Sequence, residues 1–103
     1  MVIYEITAVA TADLASEYEA YMREIHIPEI LATGYFASAT LSRSGDSYRV
    51  TLEAESFSKI DQYLELCAPS LRIDFNERFP SGVRLSRDVW EVIARFQQPR
   101  NDA

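Results

Sequence analysis

Ser47-Tyr48-Arg49-Val50-Thr51-Leu52-Glu53-Ala54-Glu55 alternates more cleanly than any other stretch of this 103-residue chain. Tyr48, Val50, Leu52 and Ala54 fall on one side, and Arg49, Thr51, Glu53 and Glu55 on the other. A period of two is that of a β-strand with one buried face. Residues 35–43, just upstream, also read as a strand, and Ser44-Gly45-Asp46 joins the two. So short a connection, containing glycine, predicts an antiparallel hairpin.

Outward from the hairpin, each flank carries a strand and an interrupted helix. Residues 2–9 alternate, with Val2, Tyr4, Ile6 and Ala8 on one face and Ile3, Glu5, Thr7 and Val9 on the other. Thr11 or Asp13 then offers a helix cap. Leu14, Tyr18, Tyr21, Met22 and Ile25 follow at the spacing of an amphipathic helix. Pro28 has no amide hydrogen and crowds the preceding turn, so the helix is expected to end or kink near His26-Ile27. A further turn over residues 28–32 stops at Gly34. On the other flank, Ser56 or Ser58 caps a helix whose buried stripe is Ile60, Tyr63, Leu64 and Cys67. Pro69 interrupts it, and Leu71, Phe75 and Phe79 continue at intervals of four. Residues 83–96 are expected to hold the last strand or strands, centred on 89–96, with a bulge near Arg87-Asp88. Residues 97–103 are polar and read as a flexible C-terminal tail on a single domain of residues 1–96.

The order β-α-β-β-α-β predicts a ferredoxin-like α+β sandwich. Four antiparallel strands form the sheet, and both proline-interrupted helices cover one face of it. At this length the chain holds one core, hiding roughly 60–70 % of its unfolded surface. An apolar fraction of 48 % and a charged fraction of 25 % exclude disorder. A net charge of −6, with scattered Lys and Arg, argues against nucleic acid and against an anionic membrane surface. No apolar run approaches the ~20 residues of a membrane span. The first residues have no basic region or cleavage site, so they read as a strand rather than a signal peptide. The lone cysteine, Cys67, points to a cytoplasmic setting and excludes a cysteine-based zinc site.

Three segments carry a family resemblance. They are the opening M-V-I-Y-E-I-T, the run H-I-P-E-I-L-A-T-G-Y-F over residues 26–36, and C-A-P-S-L-R over 67–72 followed by E-R-F over 77–79. They resemble the uncharacterised family called domain of unknown function 4286. Members often carry W-x-x-W-M on the first helix, where this chain has Tyr18-Glu19-Ala20-Tyr21-Met22. The resemblance implies a fold similar to the dimeric α+β barrels and no established activity.

The candidate functional residues are few. His26, the only histidine, is either a proton shuttle or ligand anchor beside the Pro28 break, or a helix-end residue bonding free carbonyls. Glu29 is either its acid–base partner or a carboxylate favoured by the helix dipole. Arg72 can clamp an anion or form a surface ion pair. Tyr4, Tyr48 and either Tyr18 or Tyr21 are expected between sheet and helices, lining a ligand pocket or forming the rim of a packed core. A lone histidine without neighbouring ligands makes a metal site improbable, and no motif calls for a cofactor. The sheet face left bare by the helices carries Ile3, Thr7, Val9 and Thr51, and is expected to add Val89 and Ile93. Such a patch predicts a homodimer. Three readings follow: a protein binding an apolar or aromatic small molecule, a cofactor-independent enzyme using His26 as acid or base, or an assembly protein without a ligand.

Overall fold

The alternating stretches become one sheet in the computed structural model, whose described residues are 1–100. Strands β1 (Val2–Ala10), β2 (Ser38–Ser44), β3 (Ser47–Ala54) and β4 (Val83–Glu91) pair antiparallel in the order β2-β3-β1-β4. Tyr4 lies across from Leu52, Ile6 from Val50 and Ala8 from Tyr48, so the apolar halves of β1 and β3 share a face. That face is buried. The helical layer over it runs α1 (Ala15–Tyr21), a π-turn (Met22–His26), α2 (Ile27–Ala32), α3 (Phe57–Leu66) and α4 (Ala68–Arg78). Tyr18 of α1 packs on Tyr48 with ring centroids 5.0 Å apart, and Tyr63 of α3 packs edge-on against Tyr4 at 6.2 Å. The architecture is therefore the expected ferredoxin-like βαββαβ fold.

The two prolines behave differently. Pro69 does sit at an interruption. Cys67 leaves the helical path at φ −117°, and α4 restarts with Pro69 in its first turn, where an amide is not needed. Pro28 does not break its helix. Tyr21, Met22, His26 and Ile27 keep right-handed helical angles, and the turn before the proline widens instead. The Ile27 amide bonds the Met22 carbonyl, five residues back. A widened turn relieves the clash between the proline ring and the preceding carbonyls while the chain stays helical. It also changes which residue faces inward. Ile25, expected in the buried stripe, is 46 % exposed, while His26 is 8 % exposed.

Three further boundaries differ from expectation. Thr11 caps α1 through its backbone rather than its side chain: its carbonyl accepts from the amides of Leu14 and Ala15, both at 3.0 Å. Strand β2 begins only at Ser38, because Phe36 turns into the core against Tyr63 (4.9 Å) and Tyr4 (6.2 Å). Strand β4 begins at Val83, where the expected range begins, but ends at Glu91, well short of Phe96. It follows β1 without a bulge, from Ala10 opposite Val83 to Val2 opposite Glu91, and stops where β1 has no further residues to pair. This register also corrects the bare sheet face. Val89 lies across from Tyr4 on the helix side, and Ile93 lies beyond the strand, whereas Trp90 lies across from Ile3 on the bare face. Residues 92–100 form no regular element, and residues 101–103 of the expected tail lie outside the described residues.

Gly82 links the two ends of this arrangement. Its carbonyl accepts from the Thr11 amide at 2.9 Å, and its φ is +88°. A Cβ there would sit 2.4 Å from Leu14 Cδ1 and 3.1 Å from Thr11 Oγ1, while one at Gly45 (φ +60°) would meet open space. Gly45→Ala should cost about 1–2 kcal/mol, from the left-handed backbone alone. Gly82→Ala should cost more, because Leu14 must also move. Urea denaturation of both variants checks the order, and equal costs would contradict it.

Candidate functional site

The widened turn that spares Pro28 places the His26 imidazole among aromatic rings. It stacks on Tyr21, with centroids 5.6 Å apart and planes at 26°, and tilts against Phe75 of α4 at 5.5 Å. Its Nδ1 is buried and has no hydrogen-bond partner. Burial pushes its pKa down to about 4 from the ordinary 6.5. The Asp74 carboxylate opposes that shift and the Arg87 charge adds to it. The imidazole is therefore neutral at pH 7.

Tyr18 is the second orphan. Its side chain is fully buried and its hydroxyl also lacks a partner. Burial, then the neighbouring Tyr48, push its pKa up, so it stays a neutral phenol. Leaving a buried polar atom unpaired costs about 1–3 kcal/mol, and such atoms are rare in folded proteins. Both orphans belong to side chains lining one cavity of ≈260 Å³. Ile6 and Leu85 line it from the sheet, and Met22 and Phe75 from the helices. Arg72 and Asn76 of α4 and Arg87 of β4, all exposed, line its outer part.

Of the residues singled out in the sequence, Tyr18, His26 and Arg72 thus share a cavity. Tyr4 and Tyr21 support that group from behind. The Tyr4 hydroxyl lies 3.5 Å from Arg72 Nη2, and Tyr21 backs the imidazole. Tyr48 and Glu29 lie elsewhere. The Tyr48 hydroxyl is 3.2 Å from Glu19 Oε2 and 3.3 Å from the Ala15 carbonyl, and lines a separate open groove with Arg23 and Arg43. Glu29 is exposed and makes no hydrogen bond to His26 among the described residues. Arg72 makes no ion pair among the described residues, and no three His, Cys, Asp or Glu side chains gather there as a metal site.

The sequence reading missed Ile6, Met22, Phe75, Asn76, Leu85 and Arg87 as lining residues. Arg87 had a legible signal. Val83, Leu85, Arg87 and Val89 alternate, so a cation stands in an otherwise apolar row. Expecting a bulge near Arg87-Asp88 broke that row in the reading, whereas the register runs through it unbroken. Asn76 had no such signal.

The model of the family described as Domain of unknown function (DUF4286) matches residues 1–93. The chain belongs to that family. No curated protein matches it. Among solved structures, a protein from Deinococcus radiodurans provisionally described as an antibiotic biosynthesis monooxygenase is 18 % identical, with a TM-score of 0.69. The match covers 97 % of this chain and 100 % of that one. A dimeric ferredoxin-like protein from an uncultured marine organism is 10 % identical, with a TM-score of 0.68, covering 95 % and 100 %. The heme-degrader MhuD from Mycobacterium tuberculosis, with two hemes bound in its active site, is 15 % identical, with a TM-score of 0.66, covering 94 % and 100 %. At these identities the likeness shows a shared fold.

Two outcomes follow from the buried groups. Unfolded chains bind a proton at histidine below pH 6.5, which native His26 does not take up until about pH 4. His26 therefore makes stability fall as pH drops through that window, by up to about 3 kcal/mol. His26→Gln should flatten the decline in denaturation curves between pH 7 and pH 4, and unchanged slopes would refute the assignment. Tyr18→Phe removes an unpaired hydroxyl and should raise the stability of the ligand-free protein by about 1 kcal/mol. A loss measured by urea titration would mean that the hydroxyl has a partner.

Proposed function

We propose that this protein binds a small organic molecule in the cavity between sheet and helices. The observation that carries this reading is that two of the residues lining one cavity, Tyr18 and His26, each carry a buried polar atom without a hydrogen-bond partner among the described residues. A ligand that offers them hydrogen bonds offsets the cost of their burial. Its body would rest between Ile6 and Leu85 on one side and Met22 and Phe75 on the other, which suits a flat apolar or aromatic framework. A volume of ≈260 Å³ suits one or two rings rather than a macrocycle. The heme-bound neighbour supports the use of this fold for planar ligands, but not heme as the occupant here.

The acid–base reading of His26 is less favoured. A group with a pKa near 4 is a poor base at neutral pH, and among the described residues no carboxylate orients its ring by a hydrogen bond. A neutral imidazole buried against aromatics suits holding a ligand better than moving a proton.

The working unit in this proposal is a homodimer joined through the bare sheet face. That face presents Ile3, Thr7, Val9 and Thr51, with Trp90 beside Ile3 and 54 % exposed, and a Glu5–Arg49 ion pair of 2.9 Å among them. Two such sheets packed face to face would cover the apolar atoms. That one neighbour of this fold is described as dimeric supports a dimer here. No helix among the described residues is long and apolar enough to cross a membrane, and the unpaired Cys67 suits a reducing cytoplasm.

The neutral fluorophore N-phenylnaphthylamine should brighten on adding the protein. Leu85→Trp, which fills the cavity from the sheet, should abolish the response. Brightening that survives this substitution would place the probe elsewhere and defeat the pocket reading. Light scattering should give twice the chain mass, and Thr51→Arg should halve it. That arginine would stand across from Glu5, so the single chain is not strained by like charge. A one-chain mass for the unaltered protein would exclude the dimer.

A further inference from the structure

We infer that the pocket selects a planar organic anion, with its carboxylate held at the mouth by Arg72 and Arg87 and a polar group at its far end meeting Tyr18 and His26. The inference rests on the pocket reading above and adds the charge and polarity of the ligand.

The two arginines come from different layers. Arg72 lies on α4, one turn before Phe75 and Asn76. Arg87 lies on β4, across from Ile6, on the side of the sheet that faces the helices. The same cavity therefore has a guanidinium on its helix side and another on its sheet side. Among the described residues neither forms an ion pair, although the chain has 16 acidic residues against 10 Lys and Arg. Four other arginines do find acidic partners: Arg23 and Arg43 hold Glu19 at 2.9 and 2.8 Å, Arg49 holds Glu5, and Arg95 holds Glu53. Arg78 and Arg84 also make no ion pair there, but neither lines this cavity. The one hydrogen bond of Arg72 is a long contact of 3.5 Å to the Tyr4 hydroxyl. Asp74, the acid whose charge reaches His26, pairs with neither arginine.

Two unpaired guanidinium groups on one cavity, in a protein of net charge −6, mark a place built for negative charge. Each offers a planar fork of N–H donors matched to a carboxylate. The inner end has the opposite character. Tyr18 is fully buried, His26 is nearly so, and both are neutral. A second charge there would be desolvated without a counter-charge, so the ligand must be neutral at that end. A hydroxyl is suited to it, since it can donate to Nδ1 and accept from the Tyr18 hydroxyl. Phe75 and the sheet residues Ile6 and Leu85 leave a flat apolar space between the two ends. The ligand class is thus an aromatic or conjugated acid with a neutral hydrogen-bonding group opposite its carboxylate.

The probes that test this are para-coumarate and its neutral amide, para-coumaramide, in calorimetric titrations with the intact protein. The acid should bind about tenfold or more tightly than the amide. Arg72→Gln and Arg87→Gln should each remove about tenfold from the acid and leave the amide unchanged. Both positions are exposed, and unaltered melting curves would verify that the variants fold. Added salt should weaken the acid alone. Tyr18→Phe should weaken both probes alike, because it acts at the shared hydroxyl end. Equal affinity for acid and amide, or a preference that survives both arginine replacements, would overturn the anion inference while N-phenylnaphthylamine binding still upholds the pocket. If neither coumaroyl probe nor the fluorophore binds, the pocket reading falls and this inference falls with it.

Discussion

Pro28 cannot donate the hydrogen bond that a regular helix requires of it, and the helical layer over the first half of the sheet is organised around that fact. In an α-turn the proline ring would meet the carbonyl four residues earlier. The chain answers by widening the turn Met22–His26, with the Ile27 amide reaching back to Met22. The chain stays helical through the widened turn, and Tyr18 and Ile30 on either side of it are both in the core. The cost is a change of face. Ile25 is turned to solvent and His26 is carried inward, where a neutral ring can stack on Tyr21 and lean on Phe75. A backbone constraint two residues away thus decides where the only histidine of this chain sits.

Two tyrosines in contact make the case for a ligand more clearly than the cavity alone. Tyr18 and Tyr48 have ring centroids 5.0 Å apart and are both buried. The Tyr48 hydroxyl reaches Glu19, a carboxylate also held by two arginines, and has the Ala15 carbonyl within reach. The Tyr18 hydroxyl has no partner. The same side chain in the same core is satisfied on one side and orphaned on the other. Packing cannot account for the difference, because a phenylalanine would fill the position of Tyr18 without an unpaired oxygen. A local loss of stability at a site lined by His26 and two arginines is the pattern expected where binding rather than folding sets the residue.

The sheet has an asymmetry of its own. Strand β1 is paired on both edges and buried on one face, and it holds the register of β3 and β4 together. Strand β4 is an edge, and its last residues are poorly covered by the helices. Val89 on the helix side and Trp90 on the bare side are both about half exposed. Edge strands of this kind are commonly protected by charge or by a partner. Here Arg84, Arg87, Asp88 and Glu91 provide charge along the strand, and the bare face next to it is the surface that the proposed dimer covers.

Most of the fold was legible in the sequence, because strands with one buried face write a period of two and the helices write a wider one. Tyr48 to Ala54 specified β3, Gly45 specified the hairpin, and the repeated strand and helix order specified the topology. Tyr18, His26 and Arg72 stood out by residue type before their positions were known. Tertiary structure alone decided the rest. Whether Pro28 breaks or widens a helix depends on the core that holds both ends of that helix, not on the proline. Where β4 ends depends on where β1 has no further residues to pair, and its register, unbroken by a bulge, brought Arg87 into the cavity and moved Val89 off the bare face. Whether a polar side chain finds a hydrogen bond depends on neighbours distant in sequence. That is why Tyr48 proved satisfied and Tyr18 did not, and why the site became visible only when helices and sheet were packed together.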